Sequence, residues 1–210
     1  MRKVVATLVL GLLTMIGTVA LAGKYNPTLK IGDAAPDWNG LEGVDGKPHA
    51  LKDLADKEVV VIAFTCNTCE YAVDHEQRLV ALAKKFADEG GKAALVAINP
   101  NMIEADLLPA MQERAKEQGF TFPYLHDASK HQVTKSYGIT FTPEFVVLNN
   151  DRKVIYLGAL DDSPDGKKVT KKYVEDAVAA ALDGRTSATA ETPAIGCAVR
   201  KVRQRRTEEE

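Results

Sequence analysis

Two stretches of the chain are apolar without a break: Val59-Val60-Val61-Ile62-Ala63, within Glu58 to Phe64, and Ala93 to Ile98. A strand with one wet face alternates apolar and polar residues, whereas an unbroken β-branched run suits a strand buried on both faces. Both segments therefore belong in the middle of a sheet. Between them Leu79, Leu82, Ala83 and Phe86 recur at helical spacing with charges interleaved, as far as about Asp88, and Gly90-Gly91 stops the helix. A second helix is predicted over Pro109 to Gln118, with the proline near its first turn and Gly119 beyond its end, and a shorter one over Ser129 to Tyr137, closed by Gly138.

Two more apolar runs, Glu144 to Leu148 and Lys153 to Leu157, flank Asn149-Asn150-Asp151-Arg152 and predict an antiparallel hairpin. Val169 to Leu182 reads as a last amphipathic helix ending before Gly184. The segment from Lys24 to Lys47 is rich in Gly, Pro and Asp; Asp45-Gly46 marks a hairpin turn, with Trp38 and Leu41 as apolar anchors. Strands and helices that alternate, followed by a hairpin, imply an α/β layer architecture: a central mixed β-sheet flanked by helices, with an N-terminal hairpin extension. One domain over residues 27–184 is expected, followed by a tail over 185–210 that is mobile at its end.

The first 22 residues read as a signal peptide: Arg2 and Lys3 precede an apolar centre from Val4 to Ile16, and Ala20-Leu21-Ala22 forms a cleavage box. The rival is an uncleaved anchor, because Val4 to Ala22 carries no charge and is long enough to span, though Thr7, Gly11, Thr14, Gly17 and Thr18 weaken it. Cleavage is the expectation, and with it export to a periplasmic or extracellular compartment, with membrane association only if the segment stays. The chain has 27 Lys and Arg against 29 Asp and Glu. Removing Arg2 and Lys3 deepens that slightly acidic balance, so neither nucleic acid nor an anionic membrane is an expected partner.

The chemistry lies at Phe64-Thr65-Cys66-Asn67-Thr68-Cys69, where a Cys-x-x-Cys follows the buried strand and opens the helix. Two thiols at that spacing can close into a disulfide, and a helix N-terminus favours the reactive thiolate. By position Cys66 is the nucleophile, and Cys69, one turn in and partly covered, the resolving cysteine. Such a dithiol needs no cofactor. Zinc would need two more ligands from Cys197, His49, His75, His126 and His131, which form no second paired motif; an inert bridge is the other bland reading. In Thr142-Pro143, a cis peptide ahead of the strand from Glu144 would leave the preceding backbone groups open to an incoming peptide strand.

Together these signals resemble the thioredoxin superfamily, and within it the redoxin branch of AhpC/TSA-like and extracytoplasmic thioredoxin-like proteins. The resemblance runs from about Ile31 to Leu182 and rests on Gly32-Asp33-Ala34-Ala35-Pro36-Asp37-Trp38, on the Cys66 to Cys69 motif, on Thr142-Pro143-Glu144-Phe145 and on Gly158. It implies a thioredoxin-like fold in which Cys66 and Cys69 cycle between dithiol and disulfide across a groove from Thr142 and Pro143. The substrate is then a protein or small-molecule disulfide, served by an unidentified thiol electron donor or acceptor. Asn67-Thr68 matches neither Gly-Pro nor Pro-His, so the direction of electron flow stays open.

The central strand lacks a buried acid, which leaves Glu58, Glu70 and Glu144 as candidate proton acceptors. A peroxiredoxin-like thiol peroxidase acting on a peroxide is the runner-up, although the Pro-x-x-x-Thr-x-x-Cys pattern is missing, and a metal-binding or chaperone module stands third. Cys197, in Pro193-Ala194-Ile195-Gly196-Cys197, resembles a C-terminal Ile-Gly-Cys segment of some redoxin-like sequences. It is either an auxiliary thiol of the site or a capped, inert one. His75 is expected on the solvated face of its helix, and the basic run from Arg200 to Arg206 in a solvated tail.

Overall fold

A computed structural model describes residues 23–26, 28–127 and 131–200. The expected signal peptide, the start of the third helix at Ser129 and the basic run after Arg200 lie outside the described residues. In chain order the elements are β1 (Asn39–Gly43), β2 (Pro48–Ala50), β3 (Val59–Phe64), α1 (Glu70–Asp88), β4 (Ala93–Asn99), α2 (Leu108–Gln118) and β5 (Tyr124–His126). They continue with α3 (Gln132–Ser136), β6 (Phe141–Thr142), β7 (Glu144–Leu148), β8 (Val154–Gly158), α4 (Tyr173–Leu182) and β9 (Cys197–Ala198). No helix among the described residues is long and apolar enough to cross a membrane.

β3 lies deep in a seven-stranded sheet of order β2-β1-β5-β4-β3-β7-β8, paired in parallel with β4 and antiparallel with β7. Its side chains divide by parity. Val59, Val61 and Ala63 face a core with Leu79, Leu82 and Phe86 of α1, Met111 of α2 and Val174 and Val178 of α4, while Val60, Ile62 and Phe64 face Leu29, Trp38, Val133, Tyr137 and Ile139. Every residue of β3 is 0–1% exposed, which is why its sequence has no polar alternation. The N-terminal hairpin forms with Trp38 and Leu41 buried, and it joins the central sheet because Glu42 and Gly43 pair with β5.

Boundaries differ from the sequence reading at several places. The last helix begins at Tyr173, not Val169, because the Asp162 carboxylate draws the amides of Thr170 and Lys171 into a loop. The larger difference is the tail. From Ala190 to Arg200 it is packed against the domain. Leu157 bridges Glu191, the Glu191 carboxylate accepts the amides of Lys24 and Tyr25, and Thr192 Oγ1 accepts the Ala159 amide at 2.9 Å while meeting the Tyr156 hydroxyl at 2.7 Å. Hydrogen-bonding groups at Glu191 and Thr192 hold this segment, so hydrophobic periodicity does not reveal it.

Gly158 marks that docking point. Its φ is +132°, and a Cβ there would sit 2.3 Å from the Thr192 carbonyl oxygen. Gly158→Ala is expected to cost roughly 1–3 kcal/mol in thermal unfolding. Gly184→Ala, also at positive φ but facing open space, should cost about 1 kcal/mol. Equal losses would mean that the contact with the tail adds nothing.

Candidate active site

β3 ends at Phe64, and the Thr65 amide extends the ladder by one bond to the Ile98 carbonyl. The next three residues do not enter the helix as expected. Cys69 is the N-cap and α1 begins at Glu70, so Cys66 stands in the loop ahead of the helix. A buried carboxylate accounts for this. The Asn67 amide donates to Asp106 Oδ1 at 2.6 Å and the Thr68 hydroxyl donates to Asp106 Oδ2 at 2.6 Å. The loop's donors are thus satisfied from outside the helix.

Asp106 is fully buried in the short 3₁₀ turn Glu104–Asp106 between β4 and α2. It also accepts from Asn101 Nδ2 at 2.9 Å, while Asn99 Nδ2 donates to the Asp106 carbonyl and to the Tyr124 hydroxyl. Tyr124 completes the ring by donating to Asn67 Oδ1 at 2.9 Å, and burial pushes its hydroxyl well above the usual tyrosine range, which keeps that proton in place. Sequence reasoning missed this network and treated Asn99-Pro100-Asn101 only as a strand terminator. Two asparagines directly after a buried parallel strand were the available signal, since the crevice at the strands' C-terminal ends is where such sheets place polar sites.

All three cysteines converge on Thr142. Cys66 Sγ lies 3.2 Å from Thr142 Oγ1, Cys69 Sγ lies 3.1 Å from the Thr142 carbonyl oxygen, and Cys197 is the register partner of Thr142 across the β6–β9 pair. The peptide joining Thr142 to Pro143 is cis. Cys69 is in a disulfide with Cys197, their Cα atoms 5.9 Å apart, and Cys66 is free. The anticipated bridge between Cys66 and Cys69 is therefore replaced here by one that reaches across 128 residues. Cys66 is also only 2% exposed, against the expectation of an open nucleophile, because Cys69, Ala72, Tyr71 and Cys197 pack around it.

The three candidate carboxylates separate clearly. Glu58 pairs with Lys92 at the other end of β3, about 20 Å from the loop by strand rise, so it is not a proton acceptor for this site. Glu70 is the exposed first residue of α1. Glu144 follows Pro143, pairs in register with Phe64 and is 6% exposed; burial pushes its carboxyl up to about 7, against the pull of the Thr140 and Phe141 amides. His75 is buried too, not solvated. Its Nδ1 lies 2.6 Å from the Tyr71 carbonyl, its ring packs on Phe145, and burial, then the Arg78 charge, lower its pKa and favour the neutral ring. Among the described residues no three His, Cys, Asp or Glu side chains gather to hold a metal ion.

Two stability measurements test these assignments. Asp106→Ala removes the acceptor of three donors, one fully buried and two half-buried, and is expected to cost about 3 kcal/mol in urea unfolding, whereas Glu104→Ala in the same turn should be nearly neutral. For Glu144 the native state binds the proton more tightly than the unfolded chain, whose carboxyl titrates near 4.5. The contribution is full below that value and lost as pH rises through about 7, a decline of about 3 kcal/mol. Glu144→Gln should flatten the decline; an unchanged pH slope would contradict the assignment.

Comparison with known proteins matches the same region. The sequence model of the Redoxin family covers residues 30–177. Among solved structures, an uncharacterized conserved protein from Geobacillus kaustophilus is 32% identical, with a TM-score of 0.77 over 85% of this chain and 96% of that one. A hypothetical protein, SMc02350, from Sinorhizobium meliloti 1021 is 30% identical, with a TM-score of 0.76 over 85% and 98%. A thiol:disulfide interchange protein of the thioredoxin family from Chlorobium tepidum TLS is 25% identical, with a TM-score of 0.51 over 60% of this chain and 84% of that one. No curated protein matches the sequence. With a mixed sheet of thioredoxin-like order, a cysteine pair after its central strand and the family match over most of its length, the chain belongs to the Redoxin family.

Proposed function

We propose that this protein is a thiol-disulfide oxidoreductase in which Cys66 attacks and Cys69 resolves. The observation that carries the reading is the free Cys66 thiol, held 3.2 Å from Thr142 Oγ1 and three residues from a second cysteine that is already oxidised. A hydroxyl at that distance can donate to a thiolate, the form that reacts. A disulfide at Cys69, beside the free thiol, supports thiol-disulfide exchange at this loop.

In the dithiol state the Cys66 thiolate attacks one sulfur of a substrate disulfide. A bond forms to Cys66 Sγ and the other substrate sulfur leaves as a thiolate, which takes a proton from solvent. Cys69, as the thiolate, then attacks Cys66 Sγ. The second substrate thiol departs, a Cys66–Cys69 disulfide remains, and an external dithiol donor returns the pair to the reduced state. The compartment that suits this cycle is an oxidising one outside the cytoplasm, where a protein disulfide such as Cys69–Cys197 persists.

The test is turnover on oxidised glutathione carrying two self-quenching fluorophores, with dithiothreitol as donor. Cys66→Ser is expected to abolish turnover. Cys69→Ser should stop the cycle at a Cys66 mixed disulfide detectable by mass. Turnover that survives Cys66→Ser sinks the proposal, as does Cys66-dependent consumption of hydrogen peroxide that outpaces disulfide reduction.

A further inference from the structure

The segment beyond Thr192 is held at both ends and nowhere rigidly between. Ala190 to Thr192 are pinned to β8, and Pro193 to Gly196 lead from there to Cys197. From Cys197 the chain runs antiparallel to Phe141-Thr142; the Val199 amide donates to the Thr140 carbonyl at 2.9 Å and the Met102 amide donates to the Arg200 carbonyl at 3.0 Å. The Arg200 amide donates to Asn101 Oδ1 at 2.7 Å, and Asn101 in turn donates to Asp106, the carboxylate that fixes Asn67 and Thr68. So the strap occupies the backbone edge beside Pro143, and one chain of hydrogen bonds couples it to the Cys-x-x-Cys loop. The fit is close: a Cβ at Gly196 would sit 2.2 Å from the Thr142 carbonyl oxygen and 2.9 Å from the Pro143 nitrogen.

We infer that Cys69–Cys197 and Cys66–Cys69 are two alternative bridges of one three-cysteine centre, and that exchange between them opens and closes the groove beside Pro143 by releasing and recapturing the strap. The inference rests on the dithiol reading of Cys66 and Cys69. In the opening step the Cys66 thiolate attacks Cys69 Sγ. The bond from Cys66 to Cys69 forms as the bond from Cys69 to Cys197 breaks, and Cys197 leaves as a thiolate that takes a proton from solvent. No net electrons move, so no outside oxidant or reductant takes part.

The reactants are already assembled. Cys66 and Cys69 both touch Thr142 through sulfur, and Cys197 packs in the same cluster. After exchange no covalent bond holds residues 197–200 to the loop; hydrogen bonds and the packing of Val199 on the core remain. The anchored stem keeps a high effective concentration, so the strap competes with an incoming cysteine-containing strand instead of excluding it. The groove is thus closed while Cys66 is a thiol beside the long bridge, and accessible once the short bridge has formed. Two exposed apolar side chains, Phe141 on the strand paired with the strap and Ile195 in the strap itself, lie where a partner strand would enter.

The experiment uses the full chain in glutathione buffers, with bridges identified by mass spectrometry and amide protection by hydrogen exchange. Both bridges should appear, and their ratio should stay constant across buffers while the total oxidised fraction changes. Gly196→Ala, which keeps all three cysteines, should shift the ratio toward Cys66–Cys69 by about tenfold or more. In Cys197→Ser the Val199 amide should exchange at least about tenfold faster than in Cys66→Ser, with β3 equally protected in both.

If either variant fails to fold, the unsubstituted chain gives the answer. Among molecules that carry one intramolecular bridge, alkylation of Cys197 should be confined to those with Cys66–Cys69 and should accompany loss of Val199 protection. Absence of the short bridge in every buffer overturns the inference, as does a bridge ratio that tracks the glutathione poise or a Val199 amide that stays protected whichever bridge is present. Both bridges exchanging in a protein with no turnover on the glutathione probe would instead overturn the enzyme assignment and leave the strap mechanism standing.

Discussion

The structure depends on keeping both faces of β3 dry. Six consecutive apolar residues leave that strand no wet side, so α1, α2 and α4 must cover one face while Trp38, Leu29 and the segment around α3 cover the other. Where the apolar run stops, burial continues but polar partners replace apolar ones. At Thr65 the chain leaves the sheet between a parallel neighbour and an antiparallel one, where β4 also ends and polar groups are tolerated. The cysteines, Asn99 at the end of β4, Asn101 just beyond it, Thr142 and Glu144 at the start of β7 meet there because the sheet's strands start or stop at one edge of the core.

At that edge, polar groups are held by specificity of pairing. Asp106 is a buried charge that meets the amide of Asn67, the hydroxyl of Thr68 and the amide group of Asn101, a donor set that repays its desolvation. The dipeptide between the cysteines is therefore fixed by a residue nearly 40 positions away, and its side chains serve the loop's geometry. The same carboxylate displaces the start of α1, which leaves Cys66 facing Thr142 instead of sitting inside a helical turn.

How much of this the sequence carried depended on the kind of force at work. Hydrophobic patterning located β3, β4, α1, the β7–β8 hairpin and the N-terminal hairpin, because burial imposes periodicities that composition cannot hide. Thr142-Pro143 was set opposite the cysteine motif by the resemblance to the thioredoxin superfamily, not by patterning. Patterning failed where polar pairing decides. Asp106 sits in a short turn with no periodicity, His75 reads as an ordinary polar position on α1 although Tyr71 and Phe145 enclose it, and residues 190–200 dock through Glu191, Thr192 and backbone groups. Glu58 drew attention by proximity along the chain, yet strand geometry carries it to the far end of the sheet.

The bridge from Cys69 to Cys197 encloses 128 residues of sequence separation, and this gives it a place in the order of synthesis. Cys66 and Cys69 emerge together, early, and the strands and helices through α4 are complete before Cys197 exists. Until Cys197 has been made, a nascent chain can form only the short bridge. Once closed, the long bridge ties the start of α1 to the C-terminal segment and removes about 5 kcal/mol worth of freedom from the unfolded chain on the chain-entropy account. The short bridge, spanning a few residues, removes far less, so a single cysteine made after the folded core supplies most of the covalent constraint.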